Sequence, residues 1–106
     1  MTCEYDTHSF QYATTATVDS KEEAAAILRF FHVELDWKWK DCDHLTLMEM
    51  WVEDGSGYDR SAIYGYPSRQ GAYMLQFRSW DYDHAEQVDL LERARSRYFL
   101  GVPSKG

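Results

Sequence analysis

From His8 to Val18 the chain alternates, with Phe10, Tyr12, Thr14, Ala16 and Val18 on one side and Ser9, Gln11, Ala13, Thr15 and Thr17 on the other. A period of two predicts a strand with one wet face. Ser20 followed by Glu23 is a capping box, because the two side chains can satisfy backbone donors that a helix start leaves unpaired. Ala24, Ile27, Leu28, Phe31 and Leu35 then fall at helical spacing and predict one apolar stripe able to lie on a sheet. The period fails at Asp36. The stretch Asp36 to His44 reads as a connection, with a short extended piece through Trp37 to Trp39.

Three apolar runs follow, separated by turn signals. Leu45 to Val52 suits a pleated surface, Glu53-Asp-Gly-Ser-Gly57 supplies a reversal, and Arg60 to Tyr66 stops at Pro67, which has no N–H to give a ladder. Pro67 to Gly71 connects to a third run, Ala72 to Trp80, in which Tyr73, Leu75 and Phe77 should face the core and Met74, Gln76 and Arg78 the solvent. The first run is apolar on both sides: Met48, Met50 and Val52 make one face, and Leu45, Leu47 and Trp51 the other, broken only by Glu49. Such a strand is either covered twice or carries a partner surface, and the expectation is cover by the chain itself.

Asp83 and Glu86 repeat the capping logic for a last helix. Acids at its start and Arg93, Arg95 and Arg97 at its end match the helix dipole, and Val88, Leu91, Ala94 and Tyr98 form its stripe. The predicted fold is α+β: a single two-layer domain over residues 1–106, in the order β-α-β-β-β-α. Two helices pack on one face of a four-stranded, mainly antiparallel sheet, with frayed ends at 1–5 and 102–106. The helix-meander-helix order resembles that of double-stranded RNA-binding domains. Those domains hold phosphates with a lysine-rich start to the last helix, where this chain has Asp83-His-Ala-Glu86, so RNA binding by that route is excluded.

Charge changes the picture most. The chain of 106 residues carries −7, which disfavours nucleic acid and anionic lipid and steers a basic partner toward it. From Glu34 to Asp59 eight carboxylates (Glu34, Asp36, Asp41, Asp43, Glu49, Glu53, Asp54 and Asp59) stand against Lys38 and Lys40. With Trp37, Trp39 and Trp51 as anchors, these residues form the expected partner-binding set. The alternative is a solvated face serving solubility. Aromatic residues, at 16%, exceed what a small core needs, so some should be available for contacts.

Candidate chemistry is thin. Asp41-Cys-Asp-His44, with Cys3 and His8, gathers metal-binding residue types, but the spacing matches no zinc pattern, so neither metal nor cofactor is expected. Cys42 and His44 could serve a small enzyme, yet no oxyanion-type glycine motif accompanies them, and the chain is read as non-enzymatic. His32 and His84 read as packed or half-exposed histidines. The polar start of the chain and the lack of a run near 18 apolar residues lead to the expectation of a cytoplasmic protein with free thiols.

In general character the chain resembles the small acidic inhibitors of phages and mobile elements, such as anti-CRISPR and DNA-mimic proteins. That resemblance implies a non-enzymatic binding protein that blocks a basic, nucleic-acid-binding partner without itself touching nucleic acid. The alternatives are an immunity protein capping a toxin nuclease, or a small Cys/His enzyme.

Overall fold

A computed structural model describes residues 1–6, 12–41, 49–54, 60–68 and 71–100. It is α+β, with strands β1 (Thr2–Asp6) and β2 (Tyr12–Val18), helix α1 (Lys21–Glu34), strands β3 (Lys38–Asp41), β4 (Met50–Glu53), β5 (Ser61–Pro67) and β6 (Tyr73–Ser79), and helix α2 (His84–Arg95). A π-helical turn, Ser96–Leu100, continues α2. The strands form one antiparallel sheet in the order β1-β2-β6-β5-β4-β3.

Among the described residues the sheet therefore has six strands rather than four, and the order begins with two strands. Both additions are edges. Thr-Cys-Glu-Tyr-Asp alternates Cys3 and Tyr5 with polar residues, but over five positions only, and β1 is placed by its ladder to β2; residues 2–5, expected to fray, lie within it. β3 grows from the extended piece expected near Trp37 and ends the sheet with two lysines, which suit a strand edge that must not recruit others.

Register fixes which residues share a face, because directly opposed residues point the same way. Thr14, Ala16 and Val18 of β2 align through β6 (Phe77, Leu75, Tyr73) and β5 (Ile63, Gly65) to Val52 and Met50 of β4. These positions are buried, as are Ala13 and Ala62 on the opposite face. Gly65 is needed at this crossing, since a Cβ there would lie 3.0 Å from Met50 Cγ and 3.1 Å from Tyr73 Cε2.

α1 reaches this face through Phe31, whose ring meets Phe77 edge-on at 5.6 Å, and α2 through buried Gln87. Thr14 Oγ1 donates to Gln87 Oε1, and Gln87 Nε2 donates to the Tyr12 carbonyl at 3.2 Å. Ser79 Oγ accepts from the Asp81 and Tyr82 amides, so its own proton goes to Ser61 Oγ 2.8 Å away. The turn into α2 is thereby pinned to the sheet.

The cap of α2 formed in full, whereas at α1 only half of the expected box forms, because Glu23 Oε1 accepts the Asp19 amide rather than that of Ser20. Ser20 accepts from the Glu23 amide, and Asp83 with Glu86 makes the full reciprocal box. Of the expected core, Ile27, Leu28, Phe31, Met50, Leu75, Phe77 and Leu91 are buried, while Tyr12 and Val88 are half-buried. Leu35 is 36% exposed because it caps α1 rather than continuing its stripe. Phe10 and the run from Leu45 to Met48 lie outside the described residues, as does the Gly55–Gly57 reversal. No described helix is long and apolar enough to cross a membrane.

Candidate interaction surfaces

The expected docking residues do not gather in one place. Glu34, at the end of α1, accepts the Tyr98 hydroxyl at 2.7 Å and pairs with Arg97 at 3.0 Å. The carboxylate holds the Tyr98 phenol above its ordinary range, since ionisation would cost this hydrogen bond. Asp36 has φ 61°, the left-handed geometry that ends a helix. Through it Trp37 N–H returns to the Phe31 carbonyl at 3.0 Å.

This reversal sends Trp37 inward. Its ring is 5% exposed and packs on Phe31, Phe77 and Tyr82, so it serves the core and is not presented to a partner. His32 Nδ1–H donates to the Trp37 carbonyl at 2.8 Å and fixes the reversal from outside. Trp39 is half-buried against α1, under the Arg29 guanidinium at 5.7 Å.

Glu49 receives the Tyr73 hydroxyl at 3.1 Å and Lys21 at 3.3 Å. Asp54 donates its amide to Ser61 at the end of the β4–β5 ladder. Asp41 sits opposite Met50 in register. Asp43 and Asp59 lie outside the described residues, as do Cys42, His44 and His8. Among the described residues no three His, Cys, Asp or Glu side chains converge as metal ligands. Cys3 is half-buried, and burial with Glu92 nearby raises its thiol above the usual range, which disfavours a nucleophilic thiolate.

Trp51 and Glu53 stand on the opposite side of the sheet from both helices. One row there runs Lys40, Trp51, Tyr64, Gln76, Thr15; a second runs Lys38, Glu53, Ala62, Arg78, Ala13; a third holds Tyr66, Met74 and Thr17. The rings carry cations, with Lys40 Nζ 5.5 Å from the Trp51 ring and Arg78 5.5 Å from that of Tyr64. Trp51 and Tyr64 meet at 6.1 Å. Among the described residues the buried Trp51 indole N–H meets no acceptor, a cost of about 1–3 kcal/mol unless something else supplies one.

Charge is thus sorted by face, which linear spacing could not reveal. On the helices and the turns flanking them, Asp19, Glu22, Glu34, Asp36, Asp81, Asp83, Glu86, Asp89 and Glu92 are exposed against Lys21, Arg29, Arg93 and Arg97, with Asp81 paired to exposed Arg60. Val33, 57% exposed, and Leu35 lie beside Glu34 and Asp36 on that side. The cations of the segment from Glu34 to Asp59 go to the other face. Comparison with protein families, curated proteins and solved structures returned no match.

Proposed function

We propose that the chain is a non-enzymatic binding protein that blocks a basic, nucleic-acid-binding protein or complex, of the phage or mobile-element anti-defence kind. The observation that carries this reading is the sorting of charge by face. In a two-layer arrangement the helices present most of the exposed carboxylates on one side, and an acidic surface of this kind can occupy lysine and arginine sites that otherwise hold phosphates. Val33 and Leu35, exposed at the end of α1 between Glu34 and Asp36, supply the apolar contact that charge alone lacks.

The contact set therefore moves from the expected segment toward the helices. Glu34 and Asp36 remain in it, joined by Glu22, Asp89 and Glu92, while Trp37 leaves it for the core. The test is affinity capture from host extract with the intact chain, beside a variant carrying Glu22→Lys, Asp89→Lys and Glu92→Lys. The reading predicts a basic nucleic-acid-binding protein retained by the first and lost by the second. Retention of an acidic protein, or equal retention by both chains, refutes it.

A further inference from the structure

We propose that the cleft between the end of α1 and the π-helical turn is a seat for one arginine side chain presented by the basic partner, and that Arg97 fills this seat in the free chain. The proposal deepens the function proposed above and rests on it for the source of the arginine. The cleft has a volume of about 820 Å³, with Phe30, Glu34 and Leu35 on the α1 side and Arg93, Arg97 and Tyr98 on the other. Among the described residues Glu34 is the one carboxylate in its lining.

That carboxylate already holds a guanidinium. Arg97 Nε lies 3.0 Å from Glu34 Oε2, and Arg97 Cζ stands 6.0 Å from the centre of the Tyr98 ring. A planar cation paired with a carboxylate and laid against an aromatic ring is a recurring mode of arginine recognition. The pair is also exchangeable: the Arg97 side chain is 61% exposed and that of Glu34 31%, so water screens their attraction. Tyr98 does not leave with Arg97. Its hydroxyl donates to the same Glu34 oxygen at 2.7 Å, and its ring meets buried Phe30 edge-on at 6.2 Å. Carboxylate and ring therefore stay in place when Arg97 swings out.

Charge in the cleft favours the exchange. Arg93, the other cation of the lining, is held by Asp89 at 2.6 Å, so departure of Arg97 leaves Glu34 as the unbalanced charge of the lining. The negative end of the α1 dipole falls at the same place. Exposed Val33 and Leu35 flank Glu34 in sequence and offer apolar contact to the partner residues on either side of an inserted arginine. The last turn of the second helix, Ser96–Leu100, is π-helical, a rare geometry that recurs at functional sites, and in it the sequence neighbours Arg97 and Tyr98 both reach Glu34.

The test is an NMR titration of the intact chain with a capped Leu-Arg-Leu peptide, beside the same peptide carrying citrulline, which keeps the shape of arginine without its charge. Thermal unfolding run in parallel shows that each variant folds. The arginine peptide should shift the amides of Glu34, Leu35, Arg97 and Tyr98, and bind about fivefold or more tighter than the citrulline peptide. Arg97→Gln, which removes the internal occupant, should tighten binding about two- to fivefold, the worth of an exposed ion pair. Glu34→Gln, whose amide oxygen still receives the Tyr98 hydroxyl, should weaken it about fivefold or more. No shift at the cleft with millimolar peptide overturns the proposal. So does equal binding of the citrulline peptide, or an affinity that Arg97→Gln leaves unchanged or lowers. The peptide needs no partner, so the two readings fail separately: binding as described by a chain that retains no basic protein upholds the seat and refutes only the proposed function.

Discussion

Removal of Arg95 should expose how much of the stability depends on one polar tie between the helices. Glu23 is 1% exposed, accepts the Asp19 amide on Oε1 at 3.1 Å, and holds the Arg95 guanidinium on Oε2. Breaking a buried pair by deleting one partner costs about 3–5 kcal/mol, because the remaining charge stays buried. Two features lower that figure here: Arg95 is 21% exposed, so water can enter its place, and the Asp19 amide still serves the carboxylate. Arg95→Ala should therefore cost about 2–3 kcal/mol, and Glu23→Gln about 1–3, since the amide has one acceptor oxygen and can keep only one of the two contacts. For a chain of this size that is a fall in Tm of roughly 10–15 °C for Arg95→Ala. Urea unfolding of both single variants and the double variant should give a coupling energy above about 1 kcal/mol. If Arg95→Ala stays within about 0.5 kcal/mol of wild type, the tie is not structural and the burial of Glu23 needs another explanation.

Phe31→Ala removes a ring that touches Phe30, Trp37 and Phe77, and should cost about 3–5 kcal/mol in denaturant unfolding. Asp36→Gly should raise stability by about 0.5–1 kcal/mol, because glycine takes a positive φ without a Cβ clash; a loss would mean that the aspartate side chain is needed there. Gly65→Val should cost about 1–3 kcal/mol by pushing Met50 and Tyr73 apart. In a Cys42→Ser background, alkylation of Cys3 should run markedly slower in the folded than in the urea-unfolded chain, as its half-buried thiol with a raised pKa requires; equal rates would contradict that placement.

Helix starts and core faces were legible because they rest on local chemistry. Ser20 and Asp83 cap the helices predicted from them, and Tyr73, Leu75 and Phe77 are buried as their alternation demanded. The edges were legible only in part: the extended piece expected from Trp37 to Trp39 overlaps β3, while β1 was expected to fray. β1 and β3 are short and polar, and their order comes from pairing with β2 and β4, which no window of the sequence contains. The docking set failed to gather for a related reason: Asp36 adopts a left-handed turn that buries Trp37, and the alternation of β4 sends Met50 and Val52 to one face and Trp51 and Glu53 to the other. Charge counted along the chain became charge divided between faces.

The most direct test of the account is displacement. The captured basic partner, loaded with labelled nucleic acid, is titrated with the intact chain and followed by electrophoretic mobility. The account predicts release of the nucleic acid by wild type, weakening as salt rises, and little release by the Glu22→Lys, Asp89→Lys, Glu92→Lys variant. A ternary complex in which nucleic acid and this protein bind the partner together would contradict it.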